Sequence, residues 1–451
     1  MPSALDQVFK AYDVRGVYPD QLDEELAERV GRAFVALTGA GTLAIGQDMR
    51  PSSKPMADAL AAGAMAQGAD VLRVGLCSTD MLYYVSGALD VAGVMLTASH
   101  NPARYNGLKL CRPGAVPVGE ESGLADIKRM VAAGEPATPS ARRGHERQAD
   151  DLLERYAAHV RGFVDTDALR PLKVVADAGN GMAGHVVPAV FAGLPFELVP
   201  MYFELDGNFP NHPADPLNPE NLRELQARVV AEGADVGLAF DGDADRVFLV
   251  DELGATVPSS LVGALVARLM CEREPGATVL YNLICSRVVP ETIREAGGVP
   301  VRTRVGHSFI KGVMAETGAI FGCEHSGHYY FRDNYRADSG LIAALVALDA
   351  LSRAGRPLSE VLAPYRRYAA SGEINRRVDD PGKVIEAVAA SYPAEMADFA
   401  DGLTVEAGDW WFNLRPSNTE PLLRLNVEAT TEAEMARVRD GVLEAVGGEP
   451  A

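Results

Sequence analysis

Four loops in this chain carry residues whose types and spacing suit chemistry on a phosphorylated group. The first is Thr97-Ala98-Ser99-His100-Asn101-Pro102, a hydroxyl at the end of the apolar run 91–96. The run reads as a buried strand, and Pro102 bars simple continuation of regular structure. Open α/β sheets place ligands at the carboxyl ends of their strands, which is where Ser99 would sit. No GxSxG surrounds it, so Ser99 is not an elbow-type hydrolase nucleophile. His100 is its sequence neighbour, and adjacent side chains tend to diverge, so a Ser–His base pair needs special geometry.

The second loop is Asp241-Gly242-Asp243-Ala244-Asp245-Arg246. Three carboxylates at alternate positions of one tight loop repel each other unless a cation joins them. Oxygen-only ligands favour a hard ion such as Mg²⁺. With Glu252 the spacing imitates an EF-hand, but Arg246 stands where the turn glycine belongs, and 247–250 reads as a strand where a helix should follow. A solvated acidic turn is the alternative.

The third loop, Gly322-Cys323-Glu324-His325-Ser326-Gly327-His328, could be drawn as a zinc site. It lacks a second cluster at finger spacing, and its glycines suggest a loop shaped around a ligand. Packing or surface roles for His325 and His328 are the alternative. The fourth, Arg415-Pro416-Ser417-Asn418-Thr419-Glu420-Pro421, offers a guanidinium fork, two hydroxyls and an amide, all suited to phosphate oxygens. Arg424 adds a second charge. A GxGxxG match over 179–184 is a weak signal alone, and the acid that should end the next strand is missing, since Glu197 precedes the apolar run 198–201. Nicotinamide binding is set aside.

Short apolar strands alternating with amphipathic helices must position these loops, which argues for α/β layers. Leu26, Val30, Phe34 and Leu37 recur at helical spacing, so 24–37 reads as a helix between strands near 41–45, 71–75 and 91–96. The stretch 134–148, with its prolines and charges, reads as a surface connection. Further strands are expected over 172–177, 246–251 and 278–283, and helices over 261–273 and 341–353. The last region ends in a strand over 422–427 and a helix with Thr431 and Glu434 in a capping box. The expected units are 1–150, 151–251, 252–364 and 365–451, with no fixed-period repeat. At 451 residues the chain is too long for one core, in keeping with that division.

A formal charge of −20 argues against nucleic-acid or anionic-membrane partners. An anionic substrate must then find locally concentrated Arg and Lys. Cys77, Cys111, Cys271, Cys285 and Cys323 are dispersed and odd in number, which fits reduced thiols in a cytoplasmic protein. No signal peptide is visible, and the longest apolar segments, such as 341–351, are too short to span a bilayer.

Taken together, the four loops resemble those of the α-D-phosphohexomutase superfamily, most closely its bacterial phosphomannomutase/phosphoglucomutase branch. The resemblance covers essentially the whole chain in order. Phe9-Lys10-Ala11-Tyr12-Asp13-Val14-Arg15-Gly16 is similar to the opening segment, which turns an aromatic and an arginine to the active site, here Tyr12 and Arg15. Thr97–Pro102 resembles the phosphoserine loop, and Tyr105-Asn106-Gly107-Leu108-Lys109 the segment that brings Lys109 to the phosphoryl group.

The resemblance implies four domains around a central cleft: three similar α/β mixed-sheet domains and a smaller α+β C-terminal domain. It implies an intramolecular phosphotransferase, an isomerase, with Mg²⁺ on Ser99, Asp241, Asp243 and Asp245. Tyr12, Arg246, Arg304, Glu324, Ser326, His328, Arg415, Ser417, Asn418, Thr419 and Arg424 would bind substrate. Small sugar phosphates would be the partners, hexose 1,6-bisphosphate the intermediate and activator, and the protein a monomer or weak homodimer. Mannose phosphate is the expected substrate, with glucose and glucosamine phosphates, or a metal-dependent sugar phosphatase, as alternatives. There are two departures. Many members of the branch have lysine at Arg304, and a guanidinium cannot readily take a proton, so His307 or Lys109 becomes the candidate for proton transfer. His325 occupies a variable position of the sugar loop.

Overall fold

A computed structural model describes residues 4–417 and 422–450, with His307 described in its backbone only. It contains four sheets, and the first three follow one plan. In the first, Thr42–Gln47, Asp70–Leu76 and Ala92–Leu96 run parallel, joined through the helices Ser53–Ala66 and Thr79–Leu89. The chain then reverses, and Tyr105–Arg112 pairs antiparallel with Ala92–Leu96. In the second sheet Val236–Phe240 runs parallel to Leu172–Asp177 and antiparallel to the following Val247–Asp251. In the third, Phe321–Cys323 runs parallel to Thr278–Asn282 and antiparallel to Tyr329–Phe331.

Parallel neighbours need a long crossover, whereas an antiparallel reversal is short. Each sheet therefore contains one compact loop at the carboxyl end of a parallel strand. Those loops are 97–104, 241–246 and 324–328, the first three singled out for their chemistry. Ala92–Leu96, Val236–Phe240 and Val247–Asp251 are buried at every residue, as strands covered on both faces must be. This is a repeat of topology, and it leaves no fixed period in the sequence.

One apolar core is shared by the first three units, through Leu82 and Val85 of the first, Tyr156 and Val186 of the second, and Phe331 and Leu345 of the third. The C-terminal sheet has a separate core. Its central strands Trp410–Pro416 and Leu422–Ala429 alternate. Phe412, Leu414, Leu423, Leu425 and Val427 belong to the core with Val438 and Val442 of the helix Glu432–Val446. The opposite face carries Asn413, Arg415, Arg424, Asn426 and Glu428, by the two-residue period of a strand.

The fold class is the expected α/β arrangement of three mixed sheets and a distinct C-terminal domain. Two local expectations change. The connection over 134–148 ends in a strand, Glu146–Gln148, parallel to Asp70–Leu76 on the sheet edge. The last region contains a six-stranded antiparallel sheet; the half-exposed strand Ala369–Arg377 has no apolar run to announce it. Among the described residues, no helix is long and apolar enough to cross a membrane.

Candidate active site

Ser99 adopts φ 50°, a left-handed conformation rare for a residue with a side chain. The turn is held by its own loop, since Ser99 N–H donates to Thr97 Oγ1 at 2.9 Å. It is also held by Arg50, whose side chain is fully buried. The guanidinium donates to the carbonyls of Ser99 and Asn101 at 2.8 and 2.7 Å, and to those of Pro102 and Tyr105 at 2.8 and 3.0 Å. Asp48 balances its charge at 3.1 Å. The turned backbone also corrects an expectation: the His100 ring folds back to 3.3 Å from Ser99 Oγ instead of diverging.

The aspartate loop meets this serine directly. Ser99 Oγ donates to Asp241 Oδ2 at 2.7 Å. The approach requires glycine at 242, because a Cβ there would lie 2.4 Å from the Ser99 carbonyl oxygen. Arg246 Nε donates to Asp241 Oδ2 at 3.0 Å, and its Nη2 lies 3.4 Å from Ser99 Oγ. Lys109 Nζ sits between Asp243 and Asp245, at 2.7 and 2.6 Å. The glycine-rich segment 179–184 also finds its purpose: Met182 N–H donates to the Gly242 carbonyl at 2.9 Å, bracing the aspartate loop.

Asp241, Asp243 and Asp245 are all buried, with carboxylate oxygens within 4.8 Å of one another. Asp243 Oδ1 and Asp245 Oδ1 are buried without a hydrogen-bond partner among the described residues. Orphaned carboxylate oxygens in a buried loop cost free energy, and a bound hard cation would remove that cost. Burial pushes the Asp241 carboxyl up to about 7 against the pull of Arg246. Burial opposes ionisation of Asp243 too, but Lys109 outweighs it and holds that carboxyl below the usual range. The donor set, all carboxylate oxygens, fits a hard divalent cation.

Arg15 donates to Asn101 Oδ1 at 2.6 Å, and its buried Nε has no partner among the described residues. That leaves a donor for an anion beside Ser99.

The third-sheet loop faces the same place. The backbones of Arg246 and His328 form an antiparallel bridge, which joins it to the aspartate loop. Glu324 is buried; its Oε1 accepts from Gly306 N–H at 3.1 Å and Asn282 at 3.2 Å, and its Oε2 from Tyr330 at 2.7 Å. The carboxylate thus shapes the loop. Ser326 is half-buried. His328 Nδ1 lies 2.8 Å from Asp338, which pairs with the buried Lys311 at 2.8 Å. Burial lowers the affinity of His328 for a proton, but Asp245 and Asp338 outweigh it and raise its pKa. Tyr12 packs edge-on to Phe309, and Arg304, an exposed residue, lies 4.6 Å over the same ring.

The C-terminal domain supplies a second cationic cluster. Arg415 and Arg424 grip the two oxygens of Glu373 at 3.0 and 3.1 Å, and Arg424 also donates to Ser417 at 3.1 Å. Burial lowers the pKa of Arg415, with Glu373 opposing. His325 feels the charges of both Glu373 and Arg415, so the loop 324–328 and this cluster are neighbours. Asn418 and Thr419 lie outside the described residues, as does the side chain of His307, so their expected roles have no geometry here.

The structure therefore gathers Ser99, Lys109, Asp241, Asp243, Asp245, Arg246 and His328 at one focus, with Arg15 beside Asn101 of the serine loop. Tyr12, Arg304 and Glu324 lie near one another, and Tyr12 also feels the charge of Arg415. Sequence reading passed over Arg50, Asp338, Lys311 and Glu373. Asp48-x-Arg50 just after a strand was an available signal for a buried ion pair; the other three acquire meaning only through long-range contacts.

Comparison with known proteins finds relatives along nearly the whole chain. Residues 6–137, 154–254 and 258–368 match the phosphoglucomutase/phosphomannomutase alpha/beta/alpha domains I, II and III, and 373–445 match the C-terminal domain. A relative in Xanthomonas campestris named phosphohexose mutases is 42% identical over 96% of this chain and 97% of its own. A phosphomannomutase of Escherichia coli K12 is 39% identical over 96% and 97%. The crystal structure of a phosphoglucomutase/phosphomannomutase family protein from Burkholderia thailandensis superposes with a TM-score of 0.89 at 34% identity, covering 100% of both chains.

Proposed function

The chain belongs to the phosphoglucomutase/phosphomannomutase family, and from that premise we propose that it interconverts mannose 1-phosphate and mannose 6-phosphate through phospho-Ser99. The observation that carries the reading is the 2.7 Å contact between Ser99 Oγ and Asp241, which sets a hydroxyl against three crowded carboxylates. The mannose preference is supported by relatives named phosphomannomutase at 39% identity. Dispersed, free cysteines support a cytoplasmic setting.

In the proposed cycle the resting protein carries a phosphoryl group on Ser99 Oγ. Hexose 1-phosphate binds with its phosphate on Arg415, Ser417, Asn418, Thr419 and Arg424. Its O6 then bonds to the serine phosphorus, the Oγ–P bond breaks, and the O6 proton passes to a base. The resulting hexose 1,6-bisphosphate turns end over end. Ser99 Oγ bonds to the phosphorus of the 1-phosphate, the O1–P bond breaks, the base returns its proton to O1, and hexose 6-phosphate leaves.

Phosphoryl transfer needs alignment and charge stabilisation more than covalent help. Mg²⁺ held by Asp241, Asp243, Asp245 and a phosphoserine oxygen would neutralise charge at the transferring group. Arg246 and Arg15 supply guanidinium donors, and Lys109 stays a fixed cation between two carboxylates. That fixation favours His328 over Lys109 as the proton carrier, because Asp338 fixes its Nδ1 and leaves Nε2 for a sugar hydroxyl. Glu324 and Ser326 would face the sugar ring, with Tyr12 and Arg304 at the edge of the cleft. The separate core of the C-terminal domain suits closure over substrate, which protects phospho-Ser99 from water.

The test is a comparison of kcat/KM for mannose, glucose and glucosamine 1-phosphates, with Mg²⁺ and a trace of bisphosphate. The highest value for mannose supports the reading. A higher value for glucose or glucosamine keeps the mutase and overturns the sugar.

A further inference from the structure

The buried carboxylate of Asp80 belongs to none of the four loops, yet it joins three domains. Its Oδ2 accepts from Tyr156 of the second unit at 2.5 Å and from Ser339 of the third at 2.5 Å. Its Oδ1 accepts from Ser78, the cap of its own helix Thr79–Leu89. Ser78, Asp80, Tyr156 and Ser339 are all fully buried. Three hydroxyls converge on this one carboxyl with no arginine or lysine bonded to it among the described residues, and burial pushes its pKa up to about 7 against their pull.

The chain neighbours of two of these residues contact the aspartate loop at different points. Thr79, next to Asp80, donates its N–H to the Asp243 carbonyl at 3.0 Å and its hydroxyl to Asp243 Oδ2 at 2.5 Å. Gly340, next to Ser339, packs so closely on the same loop that a Cβ would lie 2.8 Å from the Arg246 carbonyl carbon and 2.9 Å from the Ala244 carbonyl oxygen. Ser339 itself caps the helix Gly340–Ala354, accepting from Ile342 N–H at 3.1 Å. The two helix starts that hold the loop are therefore pinned to each other through one carboxylate.

We propose that Asp80 is a positioning residue for the metal loop, aligning Thr79 and Gly340 across three domains so that Asp241, Asp243 and Asp245 converge on a divalent cation. The proposal rests on the metal-dependent reading given above. Asp80 touches neither substrate nor metal; it acts through Thr79 on Asp243 and through Ser339 on the loop backbone. Residues that orient metal ligands typically change affinity by about 10–100-fold when removed.

The experiment measures Mn²⁺ binding to the purified full-length protein by electron paramagnetic resonance, without turnover, for wild type, Asp80→Asn, Tyr156→Phe and Ser339→Ala. Asp80→Asn is expected to bind at least about tenfold more weakly. Tyr156→Phe and Ser339→Ala each remove one donor, should shift affinity in the same direction by less, and keep the test open if Asp80→Asn does not fold. KM for the sugar phosphate, set largely by Arg415 and Arg424, should stay near its wild-type value while kcat falls. Folded variants that bind Mn²⁺ as tightly as wild type overturn the role of Asp80. Failure of the wild type to bind Mn²⁺ would instead overturn the metal-dependent reading beneath it.

Discussion

Ser99 Oγ and Asp241 Oδ2 lie 2.7 Å apart although 142 positions separate them in the chain. The contact joins the reversal loops of two different sheets, and Gly242 makes it possible by giving up its side chain. A serine so placed shares its immediate surroundings with Arg246, Lys109 and three carboxylates. Replacing it removes the oxygen proposed to carry the phosphoryl group and little packing. Ser99→Ala is expected to keep its melting temperature and lose mutase activity; near-normal turnover in that variant would take Ser99 out of the reaction.

Arg50 should be needed for the shape of that loop. Arg50→Ala would strip donors from four carbonyls and leave Asp48 buried and unpaired, a loss of about 3–5 kcal/mol in thermal or denaturant unfolding. Arg50→Lys keeps a charge but not the fork. It should lower kcat far more than it raises KM, and equal effects on both would argue for general destabilisation instead.

Arg415→Ala should weaken substrate binding by a charge-assisted contact worth about 1.5–3 kcal/mol. That corresponds to roughly a ten- to hundredfold rise in KM. Steady-state kinetics with hexose 1-phosphate check this, and unchanged KM and kcat would remove Arg415 from phosphate binding.

Removing divalent metal should stop turnover and lower the melting temperature, because two buried carboxylate oxygens lose their partner. A cation at a hundred times its Kd stabilises the fold by about 2.7 kcal/mol. Thermal melts with chelator and with Mg²⁺ measure it. Identical melts would contradict a metal in the aspartate loop.

His212 gives a pH signature of its own. Its Nε2 lies 3.0 Å from Asp177. Burial lowers its proton affinity, but Asp177 outweighs that and raises its pKa above the ordinary value. A raised histidine stabilises the fold fully below its unfolded pKa, about 6.5, and loses that contribution as pH rises through the higher folded value. Asp177→Asn should therefore cost more stability in mildly acid solution than in alkaline solution. A difference in melting temperature that does not vary with pH would contradict the pairing.

Much of the site was legible in the sequence because its chemistry is local. An alternating aspartate triplet, a serine after a buried run, and Arg415 with Ser417 each fall within a few residues. The sheet order was less legible, since Val14–Val17 pairs with Tyr105–Arg112 across about ninety intervening residues. Most of the supporting charges were not legible. Arg50 had a signal in Asp48-x-Arg50 after a strand, whereas Asp80, Lys311 and Asp338 are marked out only by the long-range contacts that bury them. The closeness of Ser99 and His100 was hidden for a different reason: it depends on a backbone angle that serine seldom adopts.

The central claim is that Ser99 passes a phosphoryl group to the sugar and receives one back. The direct measurement loads Ser99 with isotopically labelled phosphate, adds unlabelled mannose 1-phosphate with Mg²⁺, and follows the label by phosphorus NMR and protein mass spectrometry. Label moving from Ser99 into the bisphosphate and the 6-phosphate, with Ser99 phosphorylated again from the substrate, is the predicted result. Label released as free phosphate, or isomerisation while the label stays on Ser99, would contradict it.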